Sequence, residues 1–300
     1  MQTLRTLFLA ISLTGLLVLA GCSANPAPAM GTLHLQMTDA SVDSTNVEGV
    51  FITINDINVH HNGEWHAVAG FQGPKKLDLM KFSRGDVSEL GDFRLTAGAY
   101  TQVRFVLDIP KQNETVVSPS CYIKMKDGSL IRLYVPSGGE SGYKLIGNFD
   151  IPINGTANIT ADFDLRKAIV VTGSDKHVLK PTLRLIVTDQ AGVIVGGVTH
   201  ISAGKQVVVF AYENDTYVAS ESAEPTGEGS RFSNAVTSDR VDANGHYELH
   251  FLAAGTYDLI VAEYDNDGNF IRVLGMKPDV VVQSKTTTTA DIDVTVLVTI

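Results

Sequence analysis

Leu95-Thr-Ala-Gly-Ala-Tyr100 leads into Thr101-Gln-Val-Arg-Phe-Val-Leu-Asp108, and Leu252-Ala-Ala-Gly-Thr-Tyr257 leads into Asp258-Leu-Ile-Val-Ala-Glu-Tyr-Asp265. Both read Leu-x-Ala-Gly-x-Tyr followed by an alternating segment that ends in Asp. In such a unit the leucine plugs one end of a core, Ala-Gly makes a tight turn, and the tyrosine opens a strand with its hydroxyl at the rim. Two copies this far apart are not a solenoid repeat. They predict two β-sandwiches of related design.

Outward from these units the same grammar continues. Residues 32–37, 50–59, 131–135, 159–165, 183–187, 207–212, 247–252 and 270–274 are short and alternating or β-branched. Asn62-Gly63, Asp127-Gly128 and Asn154-Gly155 supply turns between them. No long segment has a 3.6-residue period. Arg166 to Val171 has room for one helical turn, but Ile169, Val170 and Val171 favour strand. The expected fold class is therefore all-β: two β-sandwich domains, at 32–188 and 191–300, with Gly192, Gly196 and Gly197 marking the switch. Glu221 to Asn234, rich in Glu, Ser, Gly and Pro, reads as an exposed loop. A last strand is expected over 287–296, with Ala290, Ile292, Val294 and Val296 on one face.

Two resemblances follow from these pieces. Asp242-Ala-Asn-Gly-His-Tyr247, with Leu252 to Tyr257 and its strand, resembles the carboxypeptidase-regulatory or transthyretin-like (prealbumin-like) β-sandwich family, with Ala253 where proline is common. That resemblance implies a non-catalytic spacer, folding aid or binding module. In the first block, Leu35-Gln-Met-Thr-Asp-Ala40, Leu77-Asp-Leu79, Leu95 to Tyr100, Val135-Pro-Ser-Gly138, Ser141 to Leu145, Ala161-Asp-Phe-Asp164 and Leu179-Lys-Pro181 fall in the order of a bacterial lipoprotein family called domain of unknown function 4382. It departs from the family at Ala168, where serine is expected, and the resemblance implies no catalytic residue.

The N-terminus fits the lipoprotein reading. Met1 to Thr6 carries Arg5, an apolar run spans Leu7 to Val18, and Leu19-Ala-Gly-Cys22 follows. A charged start, a short apolar segment and small residues at the cut make a secretory signal peptide, here 1–21. The Leu-Ala-Gly-Cys stretch resembles the lipobox of bacterial lipoproteins, which implies a diacylglycerol on the Cys22 thiol and acylation, palmitate-like, of the new N-terminus. Several acyl chains together anchor firmly. Residues 22–31 then read as a lipidated tether, small and proline-containing. Ser23, where aspartate would retain such a protein in the inner membrane, implies the outer membrane, facing the periplasm or the outside.

Composition is consistent with this. The formal net charge of −10 argues against nucleic acid and against electrostatic membrane binding. The chain has two cysteines. With Cys22 lipidated, Cys121 is expected to be a buried, inert thiol; a Cys22–Cys121 disulfide is the competing possibility. The Asn-x-Thr tripeptides at Asn113, Asn154, Asn158 and Asn214 read as strands and turns in a bacterial chain.

Three places carry chemistry worth weighing. In a two-residue hairpin at Asn62-Gly63, His61 opposes Glu64, His60 opposes Trp65 and Val59 opposes His66. His61, Glu64 and His66 then share a face with metal-ligand chemistry, although a solvated hairpin tip is the simpler expectation. Trp65 is either a sugar platform or a core plug, and core packing is expected. Asp162 and Asp164 share a strand face with Thr160, either as acid–base partners or, by default, as a solvated polar face paired with Arg166 and Lys167. Asp265-Asn-Asp-Gly-Asn269 begins like a calcium loop but has Phe270 and Met276 where glycine and an acidic ligand belong, so it reads as a hairpin turn. No nucleophile elbow, His-Glu-x-x-His, P-loop or dinucleotide fingerprint is present. The expected function is a non-catalytic, lipid-anchored envelope module without cofactor, binding polysaccharide or an envelope protein. A metal-dependent or carboxylate-based hydrolase, or its accessory subunit, is the alternative, and a subunit of an envelope assembly is a third.

Overall fold

The computed structural model describes residues 27–39, 46–109, 120–136, 142–173, 175–225 and 229–300. The chain is all-β and forms two sandwiches. The first contains β1 (Met30–Asp39), β2 (Val47–His61), β3 (Glu64–Ala67), β4 (Lys75–Asp78), β5 (Ser88–Thr96), β6 (Gly98–Leu107) and β7 (Tyr122–Met125). It continues with β8 (Leu130–Tyr134), β9 (Tyr143–Ile151), β10 (Thr156–Phe163), the helical turn α1 (Leu165–Ala168), β11 (Ile169–Val171), β12 (His177–Leu179) and β13 (Leu183–Val187). The second contains β14 (Gly192–Thr199), β15 (Gln206–Glu213), β16 (Thr237–Arg240), β17 (His246–Leu252), β18 (Gly255–Tyr264), β19 (Phe270–Val282), β20 (Thr287–Thr289) and β21 (Ile292–Asp293).

One sheet of the first sandwich runs β13-β10-β1-β5. The other runs β11-β12-β8-β7-β2-β6-β9, with β3 and β4 also on β2. Alternation buries Leu33, Leu35 and Met37 of β1 against Ile52 and Ile54, and beyond a bulge Ile57 and Val59, of β2 in one core cluster. In the second sandwich β17-β14-β20, with β21, faces β16-β15-β18-β19. Tyr247 closes that core, its hydroxyl donating to the Ala290 carbonyl at 2.5 Å. Gly196 permits the approach, because a Cβ there would lie 2.3 Å from the same carbonyl oxygen.

The two Leu-x-Ala-Gly-x-Tyr units fold alike. Leu95 and Leu252 are buried, Gly98 and Gly255 begin β6 and β18, and Tyr100 and Tyr257 point inward. The Tyr100 hydroxyl donates to the Thr96 carbonyl at 2.7 Å, and the Tyr257 hydroxyl to the Ala253 carbonyl at 2.9 Å. Each hydroxyl satisfies a carbonyl four residues back, at the corner where the chain enters its strand. Burial pushes both phenols up.

Three local expectations need correction. Arg166–Val171 divides between α1 and β11, because Lys167 and Ala168 bond back to the Asp164 carbonyl before the β-branched run extends. The 221–234 segment is not simply an exposed loop: Phe232 is buried and stacks on Phe210 at 4.2 Å, and Glu221 accepts the Tyr212 hydroxyl and the Asn234 backbone N–H. The single strand expected over 287–296 is two short pieces, β20 and β21. Ala290 and Ile292 are buried but Val296 is 75% exposed, since Asp293 turns the chain by accepting the Thr295 N–H. Asp265 does close a hairpin turn, accepting the Asp267 and Asn269 N–H groups.

Removing either corner hydroxyl leaves a carbonyl without its partner. Tyr100→Phe and Tyr257→Phe should each lower stability by about 1 kcal/mol, read as a lower urea midpoint at unchanged slope. Unchanged midpoints in both would show that the shared bond holds neither corner.

Candidate functional site

Asn62 and Gly63 both have positive φ, 50° and 84°, the geometry of a two-residue turn whose twist matches its strands. That turn fixes the β2–β3 register as His61 opposite Glu64, His60 opposite Trp65 and Val59 opposite His66. Further along the same sheet, Asn58 pairs with Arg104 and His60 with Gln102 on β6, while Arg104 pairs with Lys144 and Gln102 with Ile146 on β9. The flanking residues Val59, Val103, Phe105, Tyr143 and Leu145 are buried. Alternation therefore turns Trp65, His60, Asn58, Gln102, Arg104, Lys144 and Ile146 outward together.

Trp65 is thus not a core plug. It stands half-buried on the outward face, because it opposes His60 and not the inward-pointing Val59. The Arg104 guanidinium carbon lies 3.7 Å from the centroid of its ring, Lys144 Nζ lies 5.9 Å from it, and the His60 ring lies 5.1 Å away. His60 is oriented by a 2.7 Å hydrogen bond between Nδ1 and Thr101 Oγ1. Arg104 Nε is buried and has no hydrogen-bond partner among the described residues. Ile146 is 76% exposed at the outer strand. The result is a flat face on which an indole carries a stacked guanidinium beside an ammonium.

His61, Glu64 and His66 lie on the opposite side of the hairpin. His61 Nδ1 donates to the Ala99 carbonyl at 2.8 Å, its Nε2 accepts from Asn62 at 3.0 Å, and its ring stacks on Tyr100 at 4.5 Å. Both ring nitrogens are thereby engaged within the protein. The His66 ring is 6.4 Å from that of His61. Among the described residues no group of three His, Cys, Asp or Glu side chains is placed to hold a metal ion. Cys121 is buried, and burial pushes its free thiol up to about 11. Cys22 lies outside the described residues.

Asp162 and Asp164 do not form a solvated face. They are buried, 3% and 9% exposed, because β10 is covered by the core on one side and by the second sandwich on the other. Arg184 binds Asp162 through Nε at 3.1 Å; Arg166 and Lys167 bind Asp164 at 2.8 and 3.0 Å. Lys167 also donates to the Ala235 carbonyl at 2.7 Å, and Arg84 reaches Asp239 at 3.0 Å and Asp242 at 3.3 Å. The Lys167–Ala235 and Arg84–Asp239 and Asp242 bonds tie the two sandwiches together. Burial works against the Asp164 carboxylate, yet Arg166 and Lys167 outweigh it and hold its pKa below the usual range. Asp39 behaves oppositely: burial, reinforced by Asp162 and Asp164, raises its pKa well above that range despite a 3.1 Å hydrogen bond from the Leu165 N–H. An apolar cleft of about 650 Å³ lies alongside, bordered by Ile123, Met125, Ile131, Ile169, Phe210 and Phe232.

Residues 30–181 match the family model described as Domain of unknown function (DUF4382). The chain belongs to that family. The DUF4382 span contains Trp65, Arg104 and Lys144 and ends just before β13. No curated protein matches the chain. Among solved structures, it is similar to the Bacillus anthracis TIE protein at 13% identity, covering 88% of this chain and 34% of that one, with a TM-score of 0.20. It is also similar to GBS52, the minor pilin of Streptococcus agalactiae, at 12% identity, covering 87% of this chain and 94% of the pilin, with a TM-score of 0.23. A putative cell adhesion protein from Bacteroides ovatus ATCC 8483 aligns at 9% identity over 88% of this chain and 92% of its own, with a TM-score of 0.22. The chain thus spans about a third of the TIE protein's length.

The Asp39 carboxyl has a definite pH signature. A raised carboxyl pKa means that its favourable contribution is complete below the unfolded value, about 3.9, and is lost as pH rises through the folded value. Asp39→Asn keeps the acceptor for the Leu165 N–H and cannot ionise. It should match the parent near pH 3.5 and exceed it in stability at pH 7, by urea unfolding at both. A variant weaker than the parent at pH 7 would mean that the ionised Asp39 is itself a stabilising group.

Proposed function

We propose that this DUF4382 chain is a lipid-anchored, non-catalytic binding module of the bacterial cell envelope. The observation that carries the reading is the outward face of β3-β2-β6-β9, where Trp65, Arg104 and Lys144 converge on solvent. The carboxylates with catalytic potential, Asp162 and Asp164, are buried and engaged in ion pairs with Arg184 and Arg166 of the first sandwich. The Leu19-Ala-Gly-Cys22 stretch supports attachment through Cys22, with signal peptide 1–21 removed and 22–31 as tether, and Ser23 supports the outer membrane. The first strand among the described residues begins at Met30, so at most about 3.5 Å per residue of chain separates lipid from sandwich. The body works close to its membrane.

In this reading 191–300 is a separate carboxypeptidase-regulatory-like domain acting as a spacer or brace. Support comes from its own core, which runs from Ile194 to Ile292 without a residue of the first sandwich.

Cys22→Ala should leave an uncleaved, slower-migrating precursor and abolish incorporation of labelled fatty acid. Processing and labelling unchanged from the parent would remove the anchor from the proposal. A chain of residues 191–300 alone should unfold in one cooperative transition. A gradual, non-cooperative melt would show that the second sandwich depends on the first.

A further inference from the structure

We infer that the outward face built on Trp65 binds an acidic polysaccharide, with the sugar's anionic groups on Arg104 and Lys144. The inference rests on the binding-module reading and names its ligand class.

Charge complementarity decides the sign. The chain carries a net charge of −10, yet the positions that the register places beside Trp65, Arg104 and Lys144 are Asn58, His60, Gln102 and Ile146; the carboxylates Asp56 and Asp150 stand further along the same strands. Among the described residues neither Arg104 nor Lys144 forms an ion pair, whereas Arg84, Arg166, Arg184, Arg231 and Arg272 all do. What holds the Arg104 guanidinium is the Trp65 ring at 3.7 Å. Such stacking is attractive because the ring presents its negative face to the cation. Arg104 Nε has no hydrogen-bond partner among the described residues, and a planar fork of N–H donors matches a carboxylate or sulfate with two parallel hydrogen bonds. Because the ring already fixes the guanidinium, less side-chain freedom is lost when an anion docks. Lys144 supplies a second point charge beside the same ring.

The rest of the face points to a saccharide. Asn58 and Gln102 present amides that both donate and accept, suited to hydroxyls. His60 is held in place by Thr101. Trp65 offers an apolar surface of the kind on which the C–H face of a sugar ring rests. The surface is formed by four adjacent strands. A polymer that repeats its charge along its length can also meet Arg104 and Lys144 with successive residues.

Trp65 is the only tryptophan in the chain, so intrinsic fluorescence reports on this face directly. Polygalacturonate titrated into the full chain in detergent at low salt should change that fluorescence saturably, with weaker binding as salt rises; neutral dextran should not. Arg104→Gln should weaken binding at least about tenfold, as expected for loss of a charged hydrogen-bonding pair. Lys144→Gln, at an exposed position that cannot disturb the core, should weaken it to a smaller extent, whereas Lys205→Gln in the second sandwich should leave it unchanged. Dextran sulfate in place of polygalacturonate tells whether sulfate or carboxylate is preferred. An equal response to neutral dextran would keep the binding module but overturn the anionic class. An equal response to poly-glutamate would make this an acidic-peptide surface, and a stronger response to phosphatidylglycerol vesicles would make it a membrane contact. Binding unaffected by Lys144→Gln and Arg104→Gln would remove the site altogether. None of these results bears on the Cys22 anchor, which the labelling experiment tests independently.

Discussion

The hydrogen-bond register of β2 is the constraint on which the rest of the first sandwich depends. This strand pairs with β7 at its start, β4 in the middle, β6 from Ile54 onward and β3 at its tip. It does so through a bulge between Ile54 and Asp56, where Asp56 bonds the Ile57 N–H. The extra residue changes which positions point inward: Val50, Ile52 and Ile54 before it, Ile57 and Val59 after it. Without it the second half of the strand would turn over, placing His60 in the core and Ile57 and Val59 in water. Burying two β-branched side chains is worth roughly 1.5–3 kcal/mol each, so the bulge is fixed by the hydrophobic effect. The outward position of Trp65 follows, since the Asn62-Gly63 turn transmits the register of β2 to β3.

The junction between the sandwiches follows a different rule. There the contacts are ionic and hydrogen-bonded, with Arg84, Lys167 and their carboxylate and carbonyl partners bridging β16 and its flanks to α1 and to the segment before β5. Buried ion pairs add little net stability relative to apolar packing, but removing one partner strands a charge. Such a junction fixes orientation more than it adds cohesion. Asp39 and Asp239 sit in it with carboxyls raised by burial. Close by, Asp164 is lowered by two cations. The same junction contains opposite pH responses, set by whether the neighbouring cations outweigh burial, as they do at Asp164 and do not at Asp239.

Much of this was legible in the sequence wherever a local rule acts alone. Asn-Gly specifies a turn geometry, and the hairpin register follows by counting. Leu-x-Ala-Gly-x-Tyr specifies a corner, and both copies make the same hydroxyl-to-carbonyl bond. What could not be read depends on distant partners. Asp162 and Thr160 alternate with Ala161 and Ile159 as a half-solvated strand would, but β10 pairs in parallel with β1 and is covered on both faces. Strand β9 interrupts its apolar pattern with Gly147, which lets the backbone approach Leu185. For Trp65, a large aromatic in a short strand favours the core on size alone. Only the neighbours on β6 and β9 reveal a stacked guanidinium, and the signal available in the sequence was the placement of Arg104 and Lys144 in alternating strands on the side opposite Val103 and Leu145.

That placement has a cost which bears on function. An exposed tryptophan forfeits core burial, and Arg104 Nε is buried without a hydrogen-bond partner among the described residues. A merely soluble surface would be better served by residues that pair with one another, as Lys124 and Glu48 do on the same sheet. Arg84, Arg166, Arg184, Arg231 and Arg272 answer carboxylates; here two cations share one aromatic ring. The imbalance is local, and it is built into three strands whose register the core already fixes. An anionic partner would complete the face without any rearrangement of the sheet, because the donors are already aligned when it arrives.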